Sequence, residues 1–236
     1  NSANNDMKDI AFNSNGTKLY HIGVNTDKVV EYDLSTAYDV STKTYNNVNF
    51  TPSAGGYNTG IRWKPDGTKI FVLSHTNNGG GTATVHRYNV STPYDLSTVT
   101  ATADQTYDGR SYLNRAWGFV FKPDGTKMFI SDDNGNDINE FILSTAWDLT
   151  TASHVTQFSV SSQEYQPSGL EFNADGKSLY MAGYSNDRIH KYNLSTAYDL
   201  STIGYASKYI SVSSQSTQPH GITFQPDGSK LFLACA

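Results

Sequence analysis

The sequence predicts an all-β fold, a β-propeller of four-stranded antiparallel blades with four complete units and a partial fifth. Three observations lead there. The segment Phe121-Lys122-Pro123-Asp124-Gly125-Thr126-Lys127-Met128-Phe129 recurs along the chain, with turn glycines at Gly16, Gly67, Gly125, Gly176 and Gly228, spaced 51, 58, 51 and 52 residues apart. A second motif, Tyr32-Asp33-Leu34-Ser35-Thr36-Ala37-Tyr38-Asp39-Val40-Ser41-Thr42, follows the first copy, and its later copies begin at Tyr88, Phe141 and Tyr192. No stretch shows a 3.6-residue apolar period, so helices are not expected. A period near 50 residues with four strands per unit points to a propeller, whose blades bury apolar faces against their neighbours.

The elements follow in order within each unit. Strand A is an apolar run such as Gly60-Ile61-Arg62-Trp63 or Gly118-Phe119-Val120-Phe121. The Pro-Asp-Gly turn comes next: proline presets φ, aspartate bonds back to the backbone and glycine takes a positive φ. Strand B is exemplified by Lys69-Ile70-Phe71-Val72-Leu73, strand C by Val29-Val30-Glu31-Tyr32 and strand D by Val155 to Val160. From turn glycine to the second motif's first serine is 19 residues in units one, three and four and 24 in unit two. The surplus falls around Asn77-Asn78-Gly79-Gly80-Gly81, a flexible loop by composition. The units run approximately over 1–53, 54–109, 110–162, 163–214 and 215–236 of a single propeller-like domain. The fifth reaches only strands A and B, leaving Leu231 to Ala236 as an apolar sheet edge. Such an edge invites pairing. Three arrangements accommodate it: part of a longer propeller, an irregular five-unit ring, or a homo-oligomer joined through the last blade.

Composition excludes several classes. Charged residues are 17%, net charge is −5 and no basic stripe is visible, which argues against nucleic acid as a partner. No apolar run is long enough for a membrane helix, and the polar opening Asn1 to Asp6 does not read as a signal peptide. Cys235 is the only cysteine, so no intrachain disulfide is expected. The wealth of Ser, Thr, Asn, Gly and Tyr suits an extracellular or virion-surface protein.

The run Gln218-Pro219-His220-Gly221-Ile222-Thr223-Phe224-Gln225-Pro226-Asp227-Gly228-Ser229-Lys230-Leu231-Phe232 resembles the blade signature of YVTN-type and lactonase-type propellers. In that family the first strand lines the central channel. The extended Tyr-Asp-Leu-Ser-Thr-Ala-Tyr-Asp-Leu-Ser-Thr repeat is similar to repeats in phage tail and bacterial surface proteins. The resemblance covers nearly the whole chain and implies a fold. It implies no function, because propellers host enzymes, lectins and scaffolds. No position-by-position match to a lactonase catalytic set is found, so no catalytic residue is assigned.

Residues repeated in every unit are read as structural. Asp66, Asp124, Asp175 and Asp227 serve the turn. Asp39, Asp95, Asp148 and Asp199, with Ser or Thr beside them, suggest Asx- and ST-turns. Tyr38, Tyr94, Trp147 and Tyr198 share one register and are expected to plug gaps between blades. The sequons at Asn15, Asn49, Asn89 and Asn193 mostly lie inside repeat motifs and carry little weight.

Function is expected where units differ. Just before strand A, one aligned position holds Lys8, Thr59, Trp117, Ser168 and His220. The B–C connections contribute His75, Asp132, Asp133 and Tyr184. If D–A and B–C loops share one face, Trp117, His220, His75, Asp132, Asp133 and Tyr184 form a ligand-binding rim at the channel mouth. Aromatic rings can cover the apolar face of a sugar and carboxylates can take its hydroxyls. The primary expectation is therefore a non-enzymatic binding or adhesion module for a glycan or surface protein. The alternatives are a lactonase-like hydrolase, with His75, His220 and Asp132 converging, and a structural module of a larger tail or surface protein. No cofactor is implied. The oxygen-rich stretch Asp132-Asp133-Asn134-Gly135-Asn136-Asp137 is a weak Ca²⁺ candidate, since it lacks EF-hand spacing.

Overall fold

A computed structural model describes residues 6–25, 27–76 and 81–235. The insertion expected around residues 77–81 lies mostly outside them. The first sheet contains β1 (Met7–Phe12), β2 (Lys18–Gly23), β3 (Lys28–Leu34) and β4 (Lys43–Phe50). The second contains β5 (Tyr57–Trp63), β6 (Lys69–His75), β7 (Ala83–Asn89) and β8 (Gln105–Asp108). The third contains β9 (Ala116–Phe121), β10 (Lys127–Asp132), β11 (Asp137–Leu143) and β12 (Ala152–Ser159). The fourth contains β13 (Pro167–Phe172), β14 (Ser178–Gly183), β15 (Arg188–Leu194) and β16 (Ile203–Ser211). A two-stranded sheet of β17 (Pro219–Phe224) and β18 (Leu231–Cys235) completes the set. Each four-stranded sheet is an antiparallel meander in sequence order.

The A–B turns form as the sequence reading requires. Gly125, for instance, has φ +75°, and the Asp124 carboxylate accepts from the Thr126 backbone N–H at 2.9 Å. The second motif makes a short 3₁₀ turn in the first four units. Its aspartate caps that turn: Asp39 accepts from Ser41 N at 3.0 Å, and Asp95, Asp148 and Asp199 repeat the contact. The motif's aromatic residue has two contacts. Tyr38, Tyr94, Trp147 and Tyr198 cover the turn glycine of their own unit, and Tyr94, Trp147 and Tyr198 also pack into the apolar clusters between sheets, as expected. Glycine has no side chain there, so the ring can lie flat over the turn.

Apolar burial sits between sheets. Five clusters of buried side chains occupy five sheet-to-sheet contacts. Phe71, Leu73 and Val85 of the second sheet meet Phe119, Phe121 and Met128 of the third. Phe129 and Ile138 of the third meet Leu170 and Met181 of the fourth. Each buried side chain of this size contributes about 1.5–3 kcal/mol. The last pair of clusters closes the ring. Ile222 of β17 packs against Ala182 and Ile189 of the fourth sheet, and Ala234 and Phe232 of β18 pack against Ile10 and Leu19 of the first. The Phe12 and Phe232 rings lie 4.7 Å apart. Among the described residues the first and fifth sheets are thus in contact, and the five sheets form a ring.

Strands β1, β5, β9, β13 and β17 crowd the axis. One residue beyond the variable position, Gly60, Gly118, Gly169 and Gly221 form a belt. A Cβ on Gly118 would lie 2.4 Å from the Ser168 carbonyl oxygen, and one on Gly169 would lie 2.4 Å from that of His220. The first unit has Asp9 in this register. Its buried carboxylate accepts from Ile10 N at 2.9 Å, Ile61 N at 3.0 Å and Arg62 Nη1 at 2.5 Å. Arg62 also donates to the Leu170 carbonyl at 3.1 Å and lies 4.0 Å from Glu171. An ionic plug thus fills the channel below its mouth.

Candidate functional site

The mouth of the channel holds a pocket of about 130 Å³ lined by Lys8, Arg115, Trp117, Asp133, Gln166, Ser168, Tyr184 and His220. Four of the five variable positions line it. The fifth, Thr59, is buried and donates to the Ala116 carbonyl at 3.0 Å. Strand register explains the convergence: all five lie at the start of the first strand of their unit, within β1, β5, β9, β13 and β17, and the ring brings residues 8 and 220 side by side.

The Trp117 indole is held in place from below. Its Nε1 donates to Asp133 Oδ2 at 2.7 Å, while Arg115 Nε donates to Asp133 Oδ1 at 2.6 Å. Asp133 is buried, so both of its oxygens have a charged or polar partner. His220 stacks on Trp117 with ring centroids 5.4 Å apart and an interplanar angle of 27°. Tyr184 packs on the other flank of His220 at 5.2 Å. Lys8 Nζ lies 2.9 Å from His220 Nε2, 2.5 Å from Asp6 and 5.4 Å from the Trp117 ring centre. Burial, with the Lys8 ammonium group adding to it, pushes the His220 imidazole down to about 3. At neutral pH it is an uncharged ring whose Nε2 can accept from Lys8. Its Nδ1 is buried with no hydrogen-bond partner among the described residues.

Of the six residues singled out from sequence, Trp117, His220, Asp133 and Tyr184 line the pocket together. His75 stands beside it. Its ring meets the Trp117 ring edge-on at 5.2 Å and stacks on Tyr57 at 5.7 Å. Asp132 is not part of the pocket lining. Its carboxylate accepts the backbone N–H groups of Asn114, Arg115 and Asn134 at 2.8, 2.9 and 3.1 Å, tying the loop before β9, and it borders a different cleft. Successive residues at a strand end point to opposite sides, which separates Asp132 from Asp133. The convergence of His75, His220 and Asp132 expected for a hydrolytic centre is therefore not formed.

The oxygen-rich stretch from Asp132 to Asp137 does not gather its carboxylates either. Asp133 faces Trp117 and Arg115, while Asp137 takes the Asn139 amide at 2.7 Å. Burial and the neighbouring Asp132 charge push the Asp137 carboxyl up to about 6. Among the described residues no group of three His, Cys, Asp or Glu side chains is placed to hold a metal ion.

Sequence reasoning set no site role on Arg115 and Gln166. Both stand two residues before the variable position, in a register that reads Asp6, Tyr57, Arg115, Gln166 and Gln218. That register also changes from unit to unit, and the change was a usable signal.

No family model and no curated protein matches the chain. Solved structures do. A functionally unknown protein from Desulfotomaculum acetoxidans superposes with a TM-score of 0.57 at 14% identity over 96% of this chain and 62% of its own. The chain thus spans less than two thirds of that protein. The periplasmic gluconolactonase of Pseudomonas aeruginosa superposes with a TM-score of 0.58 at 13% identity, over 96% of this chain and 77% of the enzyme. A luciferin-regenerating enzyme gives 0.58 at 13% identity, over 99% and 84%. At these identities the likeness is one of fold, a β-propeller.

Proposed function

We propose that the chain binds a neutral, polyhydroxylated single ring, a sugar or a sugar lactone, in the channel-mouth pocket. The observation that carries this reading is the clamped indole. Trp117 is fixed by Asp133 at an aligned position where units diverge, beside Tyr184 and a neutral imidazole. Rings of this kind offer apolar area and cover the C–H face of a pyranose. The charges in the lining are paired internally, Lys8 with Asp6 and Arg115 with Asp133, which favours an uncharged ligand. Gln166 supplies a hydrogen-bonding amide in the lining. An extracellular or periplasmic setting goes with this reading, because one enzyme of similar fold is periplasmic.

The test is a titration of intrinsic tryptophan fluorescence with monosaccharides, δ-lactones and the matching sugar acids. Saturable quenching by neutral rings is expected, at least tenfold weaker in Trp117→Ala. Binding of the acids alone, or unchanged affinity in Trp117→Ala, would reject the proposal. A second reading, hydrolytic opening of a bound lactone, is favoured by the uncharged His220 beside Lys8. It requires acid release above the spontaneous rate in a pH-stat, lost in His220→Ala.

A further inference from the structure

Two walls of the channel mouth are tied by the same pair of bonds. In the third unit Asp132 Oδ1 accepts Arg115 N at 2.9 Å and Asn134 N at 3.1 Å. In the fourth, Glu164 Oε1 accepts Gln166 N at 2.8 Å and Ser185 N at 3.1 Å. The donors correspond. Arg115 and Gln166 stand two residues before the variable position, and Asn134 and Ser185 two residues past the ends of β10 and β14. The acceptors do not. Asp132 ends β10, whereas Glu164 comes from the loop after β12, where the third unit has Leu113. The fourth unit has Gly183 in place of Asp132, and a Cβ there would collide with Glu164 Oε2. One buried carboxylate thus occupies the same place in both units, supplied from opposite loops. Each ties the loop before the first strand of its unit to the loop after the second. Both loops put side chains into the pocket: Arg115 and Asp133 in one unit, Gln166 and Tyr184 in the other.

The Glu164 bridge also sets which end of the Gln166 amide faces the pocket. It fixes the Gln166 and Ser185 backbones, and Tyr184 N donates to the Gln166 carbonyl at 3.1 Å. Ser185 Oγ then donates to Gln166 Oε1 at 3.1 Å. The amide oxygen is engaged, and Gln166 Nε2 has no protein partner among the described residues. Neighbouring polar groups of the lining are already engaged with one another. Asp133 takes Trp117 and Arg115, Lys8 meets Asp6 and His220, and Ser168 Oγ donates to the Ala182 carbonyl at 3.0 Å.

We propose that Glu164 is a positioning residue and Gln166 a specificity-determining one: the Glu164 bridge, with Ser185, turns the Gln166 amide so that Nε2 donates to an acceptor oxygen of the bound ring. The donor role rests on the reading that the pocket holds a polyhydroxylated ring; the bridge does not.

Two measurements on the full chain separate the halves. The first needs no ligand. The ¹⁵N heteronuclear NOE of the Gln166 side-chain amide should match that of neighbouring backbone amides, as expected for a side chain held rigid. It should collapse in Ser185→Ala, an exposed site, and in Glu164→Leu, which installs the residue of the third unit. Glu164→Gln should restore it, because Oε1 takes both N–H groups while Oε2 has no hydrogen-bond partner among the described residues. An amide already mobile in the parent, or unchanged in Ser185→Ala, would overturn the bridge.

The second measurement titrates tryptophan fluorescence with glucose, galactose and mannose, then with the singly deoxy and singly fluoro derivatives of the tightest binder. Fluorine can accept a hydrogen bond but cannot donate one. At one ring position the deoxy sugar should bind about tenfold more weakly than the parent sugar, the upper end for one neutral hydrogen bond. The fluoro sugar should keep most of the affinity there, and the gap should close in Ser185→Ala. Equal losses for the deoxy and fluoro sugars at every position would overturn the donor role. If no sugar binds while the amide is rigid, the ligand reading is at fault: the donor role falls with it and the bridge stands.

Discussion

Arg62→Val is expected to destabilise the protein by about 3–5 kcal/mol, the usual cost of stranding one partner of a buried ion pair. Asp9 is 1% exposed, and among the described residues Arg62 is its only charged contact below 3 Å. Burial already pushes the Asp9 carboxyl up from its ordinary value, with Arg62 and the Ile61 and Ile10 N–H groups pulling it back. Without the guanidinium the carboxylate has no counter-charge, yet Ile61 N and Ile10 N still need an acceptor. Asp9→Asn removes the charge and keeps an acceptor for one of the two N–H groups, which bond to different oxygens of Asp9. The double variant Asp9→Asn with Arg62→Val should therefore recover part of the loss. The third unit, with Gly118 and Val120 in these two registers, is uncharged there already. The pH dependence has a definite sign. A carboxyl whose folded pKa lies above its unfolded value contributes stability at low pH that is lost as pH rises through the folded value. The deficit of Arg62→Val should shrink on acidification from pH 7 toward pH 5, where Asp9 can take up a proton. Urea denaturation of the three variants at both pH values checks this. A neutral Arg62→Val, or a double variant less stable than the single one, would contradict the plug.

Gly169→Ala should cost about 3 kcal/mol, the upper end for overpacking in a close-packed core. The added methyl would stand 2.4 Å from the His220 carbonyl oxygen, 2.7 Å from Ile222 N and 2.8 Å from Gly221 Cα. All three are backbone atoms of a neighbouring strand, so no rotamer change relieves the clash, and β13 and β17 must move apart. For a chain of this size the loss lowers Tm by about 6–12 °C. Gly204→Ala is the matched control, since nothing lies within 4 Å of its Cβ position. Its Tm should stay within about 2 °C of the parent. Calorimetry of the pair decides whether the strands at the axis approach as closely as described. Gly169→Ala should also weaken ligand binding, because the strand it displaces carries His220.

The same features show how far the sequence could be read. Turn glycines and the second motif located strands A, B and C in the complete units, because Pro-Asp-Gly and Tyr-Asp-Leu-Ser-Thr have strong local preferences. The variable position brought Trp117 and His220 to notice, since a register shared by aligned strands becomes a shared place in the ring. Asp133 and Tyr184 followed from the B–C loops. Asp132 was misplaced because loop membership does not say which side of the strand a carboxylate takes. The channel plug was visible only as one Asp among four glycines. Its meaning depends on Asp9, Arg62 and Glu171 meeting across units, which local pattern does not encode. The aromatic plugs were assigned to gaps between blades, where Tyr94, Trp147 and Tyr198 do pack, but their seat on the turn glycine of their own unit was not foreseen.

Ring closure by the fifth unit underlies both the pocket and the plug, since it alone brings Lys8 to His220. Selective labelling of the phenylalanine rings tests it directly by NMR. Phe12 and Phe232, 220 positions apart in sequence, have ring centroids 4.7 Å apart, comparable to the 4.8 Å of Phe129 and Phe172 inside the ring. Cross-relaxation between Phe12 and Phe232 as strong as that between Phe129 and Phe172 is expected. A strong Phe129–Phe172 signal with none between Phe12 and Phe232 would show an open ring and contradict the account.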